Sequence, residues 1–230
     1  MLLLSFQFRL LNWWLFSLTA IGFLAAGALV AMQLRIGGSL GESNAAVLSR
    51  ITLEPGAGLL AAMLASSLIV GDPLLEVTMA TRAGISAVTL WRALIGMSLL
   101  LLCSAAFLAW TLAIGIRYAQ QQSALYLLLL WLTPVLLMGT LGLCGSLLTG
   151  NSALGMVIAT MPLAGSLLLF PKLVAIPATH PFLITYSASG AQDAHDWWIN
   201  RLVLLAFAAI FALWSWRLLR REGRLLHMGQ

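Results

Sequence analysis

The sequence predicts an all-α integral membrane protein, and two observations carry that expectation. Of its 230 residues 61% are hydrophobic and 8% charged, whereas a soluble domain is about one quarter charged. The charges fall between long apolar stretches, each near the roughly 20 residues that a helix needs to cross ~30 Å of hydrocarbon.

Taken in order, residues 1–12 mix Leu and Phe with Gln7, Arg9 and Asn12 and lead into Trp13-Trp14. That composition suits the headgroup boundary and predicts an N-terminal interfacial helix. The first span covers 13–34. It exceeds the apolar region of a signal peptide and shows no small-residue cleavage motif before a polar start, so it is expected to remain in the membrane. A second, shorter span is expected near 55–71, opening on Glu54-Pro55-Gly56. Further spans are expected at 91–116, 124–148, 152–170 and 200–219.

Six spans place both termini on one side. Arg217, Arg220, Arg221 and Arg224, with Arg9, Arg82 and Arg92, assign that side to the cytoplasm. Arg35, Arg50, Arg117, Lys172 and Arg201 then face the other way. The net charge of +5 follows from this topology, with membrane lipid as the surrounding partner. No nucleic-acid partner is expected, because the loops lack aromatics interleaved with basic residues. Cys103 and Cys144 fall inside spans without metal-site spacing and read as packing residues.

Between the second and third spans lies a capped segment. Asp72 can accept the free amides of a first helical turn, Pro73 suits the first helical position, and Gly84 is a natural stop. Ser86 can cap the helix that follows. The expectation is a short helix over 72–84 near the membrane surface, with Glu76 and Arg82 offered to a protein outside the lipid. A solvated connector capped at each end is the plain alternative, but a hairpin needs only a few residues, so the length favours docking or contact with headgroups.

Leu74-Leu75-Glu76, followed by a turn and Ser86 ahead of a span, resembles the coupling helix of type-2 ABC exporter permeases, with Gly84 in the turn where that family carries a proline. Leu132-Thr133-Pro134, the glycines Gly139, Gly142, Gly145, Gly150 and Gly155, Met161-Pro162-Leu163 and the stretch from Arg50 to Gly56 are similar to the haem-exporter B permeases of cytochrome c maturation. The resemblance spans roughly residues 50–170. It implies that residues 1–230 form one permease domain of the type-2 ABC exporter fold, and that Asp72, Leu74, Leu75, Glu76, Met79, Arg82 and Gly84 couple it to an ABC ATPase subunit. It also implies a bacterial plasma or inner membrane, a second permease copy or a related membrane subunit, ATP and Mg on the partner subunit, and a hydrophobic cargo of the complex, either haem or a lipid or other hydrophobic compound.

The chain itself is expected to hold no cofactor or metal and to catalyse nothing alone. Its single lysine, Lys172, is followed by Leu173, so no Gly-x-x-x-x-Gly-Lys-Ser/Thr phosphate loop exists. Gly139, Gly142 and Gly145 leave one side of their span almost bare, which predicts close helix packing or a pathway. Pro134 and Pro162 each remove a backbone hydrogen bond and are expected to bend their helices.

Residues 171–199, broken by Pro171, Pro177 and Pro181, predict an extracytoplasmic re-entrant or surface segment. His180 and His195 there read as surface residues, with metal or haem ligation as the alternative. No ionisable residue is expected near the middle of a span, which argues against a proton- or sodium-coupled carrier. The other rival, a rhomboid-like intramembrane serine protease, would use Ser152 in Gly150-Asn151-Ser152. It would need a histidine base on another membrane helix, and the last span has none, so Ser152 reads as a helix cap.

Overall fold

A computed structural model describes residues 13–68, 84–118, 123–186 and 194–220. The described residues form helices and turns without a strand. Helix α1, Trp13–Ile36, is followed by α2, Gly38–Ile51, which continues through a π-helical turn, Thr52–Gly56, into α3, Ala57–Ser66. Then come α4, Gly84–Ala113; α5, Ala124–Thr149; α6, Ser152–Leu168; and the short α7, Phe170–Val174. A 3-10 turn, Pro177–Phe182, precedes α8, Ala194–Leu219. The interfacial helix expected over 1–12 lies outside the described residues.

Among the described residues, five helical stretches are long and apolar enough to cross a membrane: Ser17–Ile36, Leu40–Ser66, Val88–Ala113, Ala124–Thr149 and His195–Leu219. The expected span at 152–170 is an apolar helix of 17 residues, about 26 Å at the α-helical rise. The second span is displaced from its expected place. It runs over Leu40–Ser66 and turns at Ser67-Leu68, so the charged residues Arg50 and Glu54 fall within it and do not precede it.

Tight turns set the hairpins. Gly38 has φ +48°, and a Cβ on Gly41 would stand 2.4 Å from the Gln33 carbonyl oxygen, so side chains are excluded where α1 folds back on α2. Ser123 caps α5 by accepting from the Tyr126 amide at 3.1 Å. The α5–α6 connection is only Gly150-Asn151. Gly150, at φ 65°, ends α5 through its amide to the Ser146 carbonyl, and Asn151 Oδ1 accepts from the amides of Ala153 and Leu154. The cap is therefore Asn151, and Ser152, expected to fill that role, is the first helical residue.

Helix α5 is the most buried span and packs against α3, α6 and α8. Its bare side is what permits this. A Cβ on Gly142 would lie 2.8 Å from the Ala62 carbonyl oxygen, and one on Gly145 would lie 3.2 Å from Gly155 Cα. Gly139 faces Ala61, while Gly58 of α3 accommodates Met138 and the Pro134 carbonyl. Both α5 and α6 continue past their internal prolines, Pro134 and Pro162. Helices α1, α4 and α8 turn large apolar side chains such as Leu24, Leu102 and Leu213 outward, as lipid-facing helices do.

Candidate functional site

The candidate site grows from the π-helical turn. Pro55 has no amide to give the Ile51 carbonyl, and its ring crowds that carbonyl. A turn widened to the π form relieves the crowding, a distortion that frequently marks functional positions. Gly56 fits the widened turn because a Cβ there would come within 3.3 Å of the same Ile51 oxygen. Upstream, Ser49 and Thr52 donate to the carbonyls of Ala45 and Leu48 at 2.7 and 2.9 Å. The outcome is that Glu54 projects into the bundle about 18 Å along the helix axis from Ser66.

There Glu54 meets Arg201 of α8, whose Nη2 donates to Glu54 Oε1. Both side chains are 0% exposed. A lone charge at this depth would cost several kcal/mol in desolvation, so each ion is tolerated because the other is present. The guanidinium also sits 5.2 Å from the centroid of Trp197, a cation–π contact strengthened by exclusion of water. Trp197 stacks on Tyr126 of α5 at 4.2 Å and meets Trp198 edge-on at 4.9 Å. This corrects the expectation that no ionisable residue falls near the middle of a span: Glu54 lies midway along Leu40–Ser66 and forms a buried ion pair with Arg201, 147 residues away in sequence.

A second polar layer lies beside it. Arg50 Nη2 donates to the Tyr118 carbonyl at 2.6 Å, and the buried Tyr118 hydroxyl shares a hydrogen bond with Thr111 Oγ1 at 2.6 Å. These bonds tie α2 to the chain leaving α4.

On the α8 side, Asn200 Nδ2 donates to the carbonyls of His180 and Leu183 at 2.8 and 2.9 Å. The 3-10 turn is thereby held on α8, one helical step from Arg201. His180 Nδ1 stands 2.9 Å from Asp196 Oδ2 and Nε2 stands 3.0 Å from the Val174 carbonyl oxygen. Both ring nitrogens face acceptors, an arrangement that suits the doubly protonated imidazolium. The Val174 carbonyl first, and then the Asp196 carboxylate, raise the pKa of His180 above its usual 6.5, against a smaller opposing effect of burial. With its side chain only 16% exposed, His180 is not the plain surface residue expected from sequence. His195, 80% exposed, matches that description.

The sign of the pH effect follows. A histidine whose pKa is raised by folding contributes stability in full below the unfolded value of about 6.5 and loses it as pH rises through the folded value. Thermal unfolding followed from pH 6 to pH 9 should show this loss, and His180→Gln should flatten the profile. An unchanged profile in that variant would contradict the assignment.

Of the residues expected to couple the chain to an ATPase, Asp72, Leu74, Leu75, Glu76, Met79 and Arg82 lie outside the described residues, and Gly84 opens α4. Pro134, Gly139, Gly142 and Gly145 share α5, and Pro162 lies in α6. Among the described residues no group of three or more His, Cys, Asp and Glu is placed to hold a metal ion. Ser152 opens α6, whereas His180 lies in the 3-10 turn after α7, and its two ring nitrogens face Asp196 and the Val174 carbonyl. Compared with known protein families, curated proteins and solved structures, the chain finds no match.

Proposed function

We propose that the chain is the permease half of a type-2 ABC exporter, in which ATP hydrolysis on a separate subunit drives movement of a hydrophobic cargo. The observation that carries this reading is Arg92. It is buried near the start of α4 and donates through Nη1 to the Leu68 carbonyl at 3.2 Å. The two roots of the segment 69–83 are thus fastened together, and a push on that segment would move α3 and α4 as one. Such a linkage is what a docked ATPase needs to shift helices on binding or releasing nucleotide. The resemblance to haem-exporter B permeases makes a haem-related cargo the leading choice. The short helix α6 would serve as the sixth span, with both termini cytoplasmic, and a second permease copy or a related subunit would complete the pathway.

Glu76→Lys is expected to abolish recovery of an ATPase subunit with the affinity-tagged chain. Arg92→Gln is expected to leave that recovery intact while lowering transport about fivefold or more, the scale of a typical coupling energy. Unchanged recovery together with unchanged transport in Glu76→Lys would contradict docking at this segment.

A second reading, an ATP-independent carrier, is favoured by the Glu54–Arg201 pair, since ionisable residues inside a membrane commonly serve ion or proton pathways. It requires transport that follows an ion gradient and persists without nucleotide.

A further inference from the structure

We infer that the outward face of α8 near its C-terminal end is a binding site for an anionic phospholipid, an assignment that holds whichever transport reading is correct. Ile210, Leu213, Trp214 and Leu218 line a groove of about 360 Å³ that has Arg217 at its rim. Its volume falls within the roughly 300–1,000 Å³ of sites that hold small ligands. Nearly all of its lining is apolar, and Ile210, Leu213 and Trp214 are at least half exposed, so an acyl chain can lie along it.

The charge at the rim selects the headgroup. Arg220, three residues after Arg217, supplies a second guanidinium and stands 5.0 Å from the ring centroid of Trp216. Arg221 and Arg224 follow in sequence. Trp214 and Trp216 belong at headgroup depth, where amphipathic aromatics collect. Ile210 and Leu213 of the groove precede these tryptophans along α8, and Arg217 and Arg220 follow them. Clustered arginines just beyond a span attract anionic lipid, each weighing about fivefold in affinity. A zwitterionic headgroup offers the same phosphate but adds a cation that these arginines repel. Phosphatidylglycerol is therefore the fitting probe and phosphatidylcholine its control.

The test is native mass spectrometry of the full chain, released from nanodiscs containing equal amounts of the two lipids. The wild type is expected to retain phosphatidylglycerol in preference to phosphatidylcholine. Arg217→Gln should reduce that preference about fivefold, whereas Arg217→Lys, which keeps the charge, should retain most of it. Thermal melting of each variant separates lost lipid binding from lost fold, and Arg220→Gln supplies a second variant should the first fail to fold. Equal retention of both lipids, an unchanged preference in both glutamine variants, or a groove that retains no lipid would overturn the inference.

Discussion

Replacing Arg201 with Met is expected to destabilise the protein by about 3–5 kcal/mol, the usual consequence of leaving one member of a buried ion pair alone. Glu54 is fully buried and cannot regain water without opening the bundle. Loss of the cation also removes the cation–π contact on Trp197. Glu54→Gln should cost less, because the amide oxygen still accepts from the guanidinium although its charge is gone. The decisive variant is the double replacement Glu54→Met with Arg201→Met. Two apolar side chains of similar length can substitute for such a pair at little or no cost in stability, so the double variant should melt close to wild type. A double variant as unstable as Arg201→Met would contradict the pairing. Its transport separates the two functional readings: an ABC permease should keep moving its cargo, and a carrier that uses the pair should not.

Gly155→Ala is expected to be destabilising by about 1–3 kcal/mol, the cost of overpacking a close contact. Replacing a helical glycine with alanine ordinarily gains roughly 0.5–1 kcal/mol. Here the new Cβ would stand 2.6 Å from the Ser146 amide nitrogen and 2.7 Å from its Cβ, and backbone cannot move aside as a flexible side chain can. The clash therefore outweighs the propensity. Gly165→Ala in the same helix is the control, because a Cβ there meets nothing within 4 Å. Melting temperatures should fall for the first and hold or rise for the second. A stable Gly155→Ala would contradict the close approach of α5 and α6.

The helical membrane class was legible because apolar content and helix length are summed over many residues and need no tertiary information. The glycine run 139–145 was legible for a related reason, since small residues at helical spacing leave one face bare whatever packs there. The second span was misplaced because Glu54-Pro55-Gly56 has the local character of a helix start. What makes it a helix interior is a π-helical turn and a counter-ion 147 residues away, and neither is a property of the neighbouring sequence. One signal was available: Glu54 and Arg201 are opposite charges, each adjoining an apolar stretch that would otherwise run further. His180 was underestimated for the same reason, as its acceptors come from Val174 and from Asp196 across a turn. The assignment of Ser152 as a cap erred by one residue, because Asn and Ser both cap well and only backbone geometry chooses between them.

The proposed function requires a separate ATPase subunit docked at the segment 72–84. Affinity purification of the full chain from native membranes in mild detergent, with mass spectrometry of everything that accompanies it, tests that most directly. The expected result is a stoichiometric subunit bearing a Gly-x-x-x-x-Gly-Lys-Ser/Thr phosphate loop, lost in Glu76→Lys. Recovery of the chain without any nucleotide-binding subunit, still transporting after reconstitution in the absence of ATP, would contradict it.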